Sequence, residues 1–278
     1  RVMRINVLKV EYPGPMVDIV GTGGDGLNTF NLSTAAALVL AASGVKVAKH
    51  GNRAASSAAG AADVLEACGV KLELEPKAVA HCIDEAGMGF MFAPAFHPAM
   101  RHAGGPRREI GIRTIFNILG PLTNPAGAES LVVGIADPSL GERMAHAFAQ
   151  LESKHVMVVH GSDGADELTI TGPSQVWEML DGQVCHYELR LEDVGLEPCA
   201  PEELKGGIAE ENAETMKRVL GGELGPLHQA VALSAGAGMV VAGKVGTIRD
   251  GVDAARNVLS SKAGLATLKK LVEISNQS

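Results

Sequence analysis

A glycine-dense segment from Gly21 to Gly26 joins an apolar run to a stretch that opens with Asn31-Leu32-Ser33-Thr34-Ala35. Glycines let backbone N–H groups approach an anion with no side chain in the way, and a helix N-terminus adds partial positive charge. The pattern predicts a strand, a phosphate-binding loop and a helix start. No G-x-G-x-x-G opens the helix directly and no Gly-Lys-Ser/Thr closes the loop, so the predicted phosphate site differs from the common nucleotide-binding kinds.

A second polar segment, Lys49-His50-Gly51-Asn52-Arg53, follows the apolar run Val45 to Ala48. Three potentially cationic side chains are therefore expected to leave the sheet at the edge that carries the glycine loop. A lysine meets phosphate as a point charge, and Arg53 either does the same or braces the loop. A solvated basic turn is the alternative, but a neighbouring phosphate loop favours a functional role.

Two adjacent acids, Asp166 and Glu167, follow the apolar run His155 to Val159 and a turn-forming stretch. Adjacent acids in loops are commonly just solvated. Beside two phosphate loops, however, they suit a hard cation such as Mg²⁺, which takes oxygen ligands from one or two carboxylates and from phosphates.

Four arginines between Arg101 and Arg113 stand out in an otherwise acidic chain. Because arginine binds carboxylates in a bidentate manner, one of them is a candidate for orienting an organic acid, while Arg101 and Arg108 are interpreted as surface charge. The stretch Asn117 to Pro125 is expected to be a packed loop that shapes a pocket. The histidines lack the mutual spacing of zinc ligands, and no G-x-S-x-G nucleophile motif occurs.

These segments need a scaffold of alternating strands and helices. Strand-like runs alternate with helix-like runs, which predicts parallel crossover units, with ligands gathering at the carboxyl ends of the strands. The loops after Val20, Ala48, Ala93 and Val159 are therefore expected to converge on one site. The predicted strands are Val17–Val20, Val45–Ala48, Val70–Leu74, Phe90–Ala93, Leu131–Ile135, Val156–Val159, Leu168–Thr171, Gln175–Met179 and Val184–Leu189; helices are expected over Ala35–Ser43, Ala58–Cys68, Lys77–Ala86, Gly141–Leu151, Ala209–Leu220, Gln229–Ala242 and Val252–Leu259.

The composition limits the function classes. The 278 residues carry a formal net charge of -8, which disfavours a nonspecific nucleic-acid or acidic-membrane binder. The four cysteines have no C-x-x-C spacing and are expected to be buried free thiols, and no run is long enough to span a membrane, so a soluble cytoplasmic protein is predicted. The chain begins at Arg1 inside a helix-like periodicity, which suggests that an upstream portion is absent.

With these motifs in hand, the chain resembles the anthranilate phosphoribosyltransferases of tryptophan biosynthesis. The resemblance rests on the two loops, the segments from His97 through Thr114 and from Asn117 to Pro125, and the Asp166-Glu167 pair, in the family's order and over nearly the whole chain. It implies transfer of the phosphoribosyl group of phosphoribosyl pyrophosphate to the amine of anthranilate, with Mg²⁺ as cofactor and pyrophosphate as the second product.

The resemblance also assigns the site residue by residue. The metal positions are Ser33, Asp166 and Glu167, and the anthranilate contacts are Gly21, Asn52 and Arg107. The phosphoribosyl pyrophosphate contacts are Gly21, Gly24, Asp25, Thr29, Asn31, Leu32, Ser33, Thr34, Lys49, His50, Gly51, Asn52, Arg53, Ala54, Ala55, Ser56, Ser57 and Ala61.

The implied fold class is α/β, with a mostly parallel central sheet flanked by helices, like that of nucleoside phosphorylases and their related phosphoribosyltransferases. Residues 1–15 are expected to be the remnant of an N-terminal helical domain and residues 16–278 the catalytic domain. The family's homodimer is a further expectation. Two departures from the family pattern are Phe96, where a histidine is common, and Ala58-Ala59, which replace more polar residues.

Two other functions are alternatives to this one. A pyrimidine nucleoside phosphorylase-like enzyme shares a glycine-rich phosphate loop but differs in the lysine-bearing loop and has no need of the acid pair. A nucleic-acid-binding relative of the same fold needs a basic stripe, which the net charge of -8 disfavours.

Overall fold

The computed structural model describes residues 2–54, 57–100 and 115–277. Its centre is a seven-stranded sheet in the order β3-β2-β1-β4-β5-β6-β7. The strands are Val17–Gly21 (β1), Val47–Gly51 (β2), Met88–Phe92 (β3), Ser130–Gly134 (β4), His155–Gly161 (β5), Ser174–Leu180 (β6) and Gln183–Leu189 (β7). The strands β1 to β5 pair in parallel, and β6 and β7 add an antiparallel hairpin at one edge. The predicted α/β class with a mostly parallel sheet is confirmed.

Helices surround the sheet, as crossover connections require. They are Val2–Ile5 (α1), Leu32–Ala42 (α2), Ala61–Ala67 (α3), Pro76–Ala86 (α4), Ala93–Phe96 (α5), Gly141–Gln150 (α6), Ala209–Leu220 (α7), Pro226–Val241 (α8), Ile248–Ser260 (α9) and Ala263–Gln277 (α10). Short 3-10 helices lie at Pro98–Met100, Ile115–Asn117, Pro121–Thr123, Pro138–Leu140, Glu192–Val194 and Pro201–Leu204.

Small residues let the central helices pack closely. Nearly every residue of α2 and α8 is buried, so both helices are apolar on all sides. A Cβ atom on Gly236 of α8 would stand 2.7 Å from the backbone nitrogen of Val252 in α9. The low aromatic and high glycine content of the chain thus corresponds to close contact between helix backbones.

Two predicted strands are wrong. The segments Val70–Leu74 and Leu168–Thr171 form no ladder with the sheet. Val70, Leu72 and Leu74 are nevertheless buried in alternation with exposed neighbours. An alternating pattern reports which side chains are buried, but it does not report whether the backbone has a strand beside it to pair with.

The position of β2 also differs from the prediction. This strand begins two residues later than expected and continues through Gly51, so Lys49 and His50 belong to the strand. The register pairs Lys49 with Phe90 and His50 with Met91 of β3. Two residues that were expected in a loop are therefore inside the sheet, where burial changes their charge.

The N-terminal residues contact the α/β unit along their path. Leu8 donates a backbone hydrogen bond to Phe96 at 3.0 Å, and Val10 donates one to Pro125 at 3.1 Å. Val10 and Met16 are buried in the main core. Within the described ranges, no helix is long and apolar enough to cross a membrane.

Candidate active site at the carboxyl ends of the parallel strands

The glycine loop turns sharply at the end of β1. Gly23, Gly24 and Gly26 have φ values of 74°, 82° and 77°, a conformation that side-chain-bearing residues rarely adopt. Close approach explains the glycine at position 21, because a Cβ atom there would overlap Oδ2 of Asp166. The chain then enters α2 at Leu32, after Asn31.

The acid pair meets this loop directly. Asp166 Oδ2 accepts a hydrogen bond from the backbone N–H of Gly23 at 2.5 Å, and Glu167 Oε1 accepts one from the N–H of Ser33 at 3.3 Å. The loops after β1 and β5 therefore converge, as predicted. Both carboxylates rest on backbone amides of the predicted anion site, one in the loop and one at the start of α2.

Burial and like charge act together on the two acids. Burial raises the pKa of Asp166 well above its usual range, and the charges of Glu167 and Asp25 raise it further. Burial raises the pKa of Glu167 to about 7, although Lys49 and the Ser33 hydrogen bonds act in the opposite direction. Asp25 Oδ2 is itself buried and accepts no hydrogen bond from a donor group of the described residues, and the Asp25 side chain lies against Asp166. Because the three carboxyl groups carry like charges, they repel one another unless protons or a cation neutralise them.

The oxygen donors of this cluster fit Mg²⁺. Across the ranges 2–54, 57–100 and 115–277, no group of three His, Cys, Asp or Glu side chains is arranged so that it could hold a metal ion by itself. Mg²⁺ does not need one, because it is commonly held by one or two carboxylates and completes its shell with water and phosphate oxygens. The unpartnered Asp25 oxygen and the mutually repelling Asp166 and Glu167 match that chemistry.

Lys49 supplies positive charge beside the acids. Its side chain is only 1% exposed, and Nζ donates to the Ile19 carbonyl at 2.5 Å and to Ser33 Oγ at 3.4 Å. Burial lowers the pKa of Lys49, whereas the charges of Asp18 and Glu167 raise it. The lysine is thus held by oxygen atoms from β1 and α2 next to the predicted metal site.

His50 and Arg53, the other two potentially cationic residues of this segment, have different surroundings. The ring of His50 is buried, with its Nε2 3.2 Å from Nε2 of His97, and burial together with His97 lowers the pKa of His50 to about 3. Arg53 pairs with Asp63 at 3.0 Å and Glu66 at 2.7 Å on α3. Of the three potentially cationic side chains, His50 is therefore neutral, and of the two roles weighed for Arg53 the structure shows loop bracing; both residues stay predictions as phosphoribosyl pyrophosphate contacts.

Asp63 closes the second loop. Its Oδ2 accepts hydrogen bonds from the backbone N–H groups of Ala54 and Gly60, both at 2.9 Å. A Cβ atom on Gly60 would overlap the backbone nitrogen of Ala54, so only glycine permits this closure. The described ends of the loop are held together at the N-terminus of α3.

The buried carboxylate of Asp18 connects β1 to β2 and to the segment 117–125. Asp18 accepts hydrogen bonds from Asn124 Nδ2 at 2.8 Å and from the His50 N–H at 3.3 Å. Asn124 also donates to the Ala48 carbonyl at 2.9 Å, which ties the 117–125 segment to β2. Burial raises the pKa of Asp18 to about 6, and the Lys49 charge limits that rise.

We expect Asp18 to make stability depend on pH. Because its folded pKa of about 6 exceeds the unfolded value of 3.8, the folded state holds more protons between these limits, and its stability falls as pH rises through that window. Relative to the Asp18→Asn variant, the wild-type chain should lose about 2 kcal/mol between pH 4 and pH 7. Urea unfolding at each pH measures this difference.

The exposed Asp253 provides the control for that measurement. The free energy of unfolding of the Asp253→Asn variant should differ from that of the wild-type chain by the same amount at every pH between 4 and 7. A constant offset for Asp18→Asn as well would contradict the proposed protonation of Asp18.

Comparison with known proteins identifies the family. A family model described as the glycosyl transferase family, a/b domain, matches residues 13–266. The anthranilate phosphoribosyltransferase of Symbiobacterium thermophilum is 49% identical over 278 residues, which cover 100% of this chain and 82% of that relative. The chain belongs to the anthranilate phosphoribosyltransferase family.

Solved structures of the family agree with the fold. The anthranilate phosphoribosyltransferase from Thermus thermophilus has a TM-score of 0.95 and 51% identity, and the match covers 99% of this chain and 83% of that one. The enzyme from Saccharomyces cerevisiae, solved in complex with PRPP and Mg, has a TM-score of 0.91 and 28% identity, with coverages of 99% and 78%.

The remaining residues that the family resemblance assigns lie around the two loops in different environments. Leu32 and Thr34 are buried in α2, so Leu32 has only its backbone to offer, while Thr34 Oγ1 is buried without a partner among the described residues. Thr29 forms an isolated bridge with Lys205, and Asn52 Oδ1 accepts from the Arg53 N–H at 2.8 Å. Ser57 is exposed and Ala61 is half-buried at the start of α3. Ala55, Ser56 and Arg107 lie outside the described residues.

A cavity of about 490 Å³ lies apart from this family site. It is lined by Leu8, by residues 73–76 and by residues between Phe92 and Phe96, and it includes none of the predicted site residues. Phe96, which departs from the family pattern, is 1% exposed and packs into the core. The charged loops, and not this cavity, carry the groups suited to the family's chemistry.

Several supporting residues were missed by sequence reasoning. Asp18 and Asn124 hold the strand ends, Asp63 closes the second loop, and Asn212 contacts Asn31 from a distant helix. A carboxylate within the apolar run Val17 to Val20 is a signal that could have indicated Asp18. No local pattern indicates Asn212, because its partner is 181 residues away.

Proposed function

We propose that this chain transfers the phosphoribosyl group of phosphoribosyl pyrophosphate to the amine of anthranilate, yielding N-(5-phosphoribosyl)anthranilate and pyrophosphate in a Mg²⁺-dependent reaction. The contact of Asp166 and Glu167 with the amides of Gly23 and Ser33 carries the proposal. It unites a cation site with an anion site, which a pyrophosphate leaving group requires. Membership of the family and the yeast enzyme's complex with PRPP and Mg support the same reaction.

In this mechanism the chain stabilises charge that develops on the leaving group. The bond between ribose C1 and the pyrophosphate oxygen breaks with both electrons on pyrophosphate, and positive charge builds on the ribose ring. We assign the stabilisation of that negative charge to the backbone amides of the glycine loop and to the buried Lys49, which lie beside Asp166 and at the end of β1. Ser33, Asp166 and Glu167 would hold the metal, which when bound neutralises phosphate charge.

The nucleophile needs positioning more than activation. The amine lone pair of anthranilate forms the new bond to C1, and the positively charged nitrogen that results is acidic enough to release its proton to water. No strong general base is therefore required and none is assigned. Much of the rate enhancement should come from holding the anthranilate amine close to ribose C1 in the orientation that the reaction needs. We assign anthranilate to Gly21, Asn52 and Arg107, with the arginine binding its carboxylate.

We expect Arg107→Ala to weaken anthranilate use selectively. Loss of a charge-assisted contact should raise the KM for anthranilate roughly 10- to 100-fold and leave the KM for phosphoribosyl pyrophosphate nearly unchanged. Arg108→Ala is the matched control and should retain wild-type saturation for both substrates. Unchanged anthranilate saturation in Arg107→Ala would remove this residue from the substrate site.

A direct assay tests the proposed function. Addition of phosphoribosyl pyrophosphate and Mg²⁺ should abolish anthranilate fluorescence, and omission of either should preserve it. Phosphorolysis of thymidine without any use of anthranilate would favour the nucleoside phosphorylase alternative. Salt-sensitive DNA binding at physiological ionic strength would favour the nucleic-acid-binding alternative.

We also propose that the chain acts in the cytoplasm as a homodimer. The family resemblance supports both points. Light scattering coupled to gel filtration tests the assembly, and a monomer mass would contradict it.

A further inference from the structure

A chain of side-chain amides links α7 to Asn31, which precedes α2, and to Ala59 in the loop after β2. Asn212 of α7 is 3% exposed, and its Nδ2 donates to Asn31 Oδ1 at 3.0 Å. Asn31 Nδ2 in turn donates to the carbonyl of Ala59 at 3.0 Å. At the other end, Asn212 Oδ1 accepts a hydrogen bond from the Gly207 N–H at 2.7 Å. We call Gly207, Asn212, Asn31 and Ala59 the amide relay.

The direction of the amide relay is set at both ends. A backbone N–H can only donate and a backbone carbonyl can only accept. Gly207 therefore orients the Asn212 amide, which makes its Nδ2 the donor to Asn31, and Ala59 requires a donor from Asn31. Reversing either amide would bring two oxygens or two N–H groups together, so the relay has one satisfied arrangement.

The relay joins the parts that the proposed function uses to hold phosphoribosyl pyrophosphate. Asn31 directly precedes α2, whose Ser33 N–H contacts Glu167. Ala59 directly precedes Gly60, at the closure of the second loop by Asp63. The segment before α7 is also bound to the stretch between the glycine loop and α2. The Phe30 N–H donates to the Leu204 carbonyl, and the Gly206 N–H donates to the Asn28 carbonyl.

We propose that Asn212 is a positioning residue for phosphoribosyl pyrophosphate, acting through Asn31 on both loops at once. This inference rests on the proposed function. Asn212 need not touch substrate, since its amide keeps Asn31 oriented toward Ala59 and thereby sets the spacing between the start of α2 and the second loop. Loss of that orientation should affect one substrate, because phosphoribosyl pyrophosphate spans both loops.

The Asn212→Asp variant tests this proposal with little change of shape. The new carboxylate can still accept a hydrogen bond from the Gly207 N–H, but it cannot donate one to Asn31 Oδ1. If the Asn31 amide turns to donate to the carboxylate, its oxygen then faces the Ala59 carbonyl, and that hydrogen bond is lost. We expect the KM for phosphoribosyl pyrophosphate to rise about 10-fold or more, with a smaller fall in kcat, an unchanged KM for anthranilate and a lower thermal midpoint, because buried polar groups lose their partners. Asn257→Asp, which changes an exposed asparagine on α9 in the same way, should match wild type.

Gly206→Ala provides a second and independent disturbance. A Cβ atom there would stand 3.0 Å from Asn212 Nδ2 and 3.0 Å from the Cα of Phe30, so it presses on the amide and on the backbone next to Asn31 without removing either. If Asn212→Asp does not fold, this variant carries the test, with the same selective rise in the KM for phosphoribosyl pyrophosphate expected.

A double variant examines whether the effect runs through Asn31. If it does, Asn31→Ala combined with Asn212→Asp should be little worse than Asn31→Ala alone, whereas fully additive effects would overturn the proposed route. A KM for phosphoribosyl pyrophosphate within twofold of wild type, or equal changes in KM for both substrates, would overturn the positioning role. A wild-type chain that leaves anthranilate fluorescence unchanged would overturn the proposed function and this inference with it, whereas an active wild type with an unaffected variant overturns the inference alone.

Discussion

Replacement of both site acids, Asp166→Asn with Glu167→Gln, is expected to lower kcat/KM for phosphoribosyl pyrophosphate on the order of 10³-fold. The amides keep the shape of the acids and still accept the hydrogen bonds from Gly23 and Ser33, so the fold should persist. They lose the negative charge that holds a divalent cation. Initial rates across a Mg²⁺ titration measure the effect.

A thermal measurement separates metal binding from catalysis in this variant. Mg²⁺ should raise the unfolding midpoint of the wild-type chain, because a ligand that binds only the folded state stabilises it, and should leave the double variant unchanged. The matched control is Glu192→Gln with Asp193→Asn, an adjacent acid pair on an exposed 3-10 helix. Normal turnover of the Asp166 and Glu167 variant at limiting Mg²⁺ would show that the metal assignment is wrong.

Replacement of the buried cation, Lys49→Met, is expected to lower both stability and activity. The lysine charge lowers the pKa of Asp18 and of Glu167, so its removal leaves two buried carboxylates without that compensation. The free energy of unfolding should fall by about 3 kcal/mol near pH 8. The loss should be smaller near pH 5.5, because Asp18 then takes up a proton and no longer needs a counter-charge. In addition, kcat/KM for phosphoribosyl pyrophosphate should fall roughly 10²- to 10³-fold, as expected when a charge beside a developing anion is removed.

The control for Lys49→Met is Lys46→Met, which removes the same side chain three residues earlier. Lys46 donates to the carbonyls of Ile83 and Asp84 at the C-terminal end of α4. We expect the Lys46→Met substitution to lower the free energy of unfolding by about 1 kcal/mol or less and to leave the activity unchanged. Equal losses in the two variants, or a Lys49→Met loss that does not vary with pH, would contradict the proposed pairing of Lys49 with Asp18.

The secondary-structure predictions were correct where neighbouring residues both form the sequence pattern and cause the conformation. The glycine loop and the start of α2 follow from backbone freedom and from a polar run before alanines, and both can be identified within 20 residues. The strands β6 and β7 were also predicted, over Gln175–Met179 and Val184–Leu189. The segments Val70–Leu74 and Leu168–Thr171 were misassigned because burial of alternate side chains does not require a strand beside them.

The cysteines show the same limit for single side chains. Cys82 is buried, as predicted, but Cys185 lies exposed on the edge strand β7. Whether a residue of a strand faces the core depends on which helix covers that face of the sheet. Composition and cysteine spacing carry no information about that cover.

The order of residues along the chain was enough to predict the class of fold, the two loops and the acid pair, and its resemblance to a known family indicated the family and the reaction. These features lie in short motifs whose order along the chain places them at one edge of a parallel sheet. The tertiary structure alone decided which groups are charged there: it buried His50 in a neutral form, paired Arg53 with α3 and left Lys49 beside the acids. It also brought Asn212 to Asn31 across 181 residues. Charge state and long-range hydrogen bonding depend on burial and on the neighbours that folding supplies, and neither is encoded in the spacing of a motif.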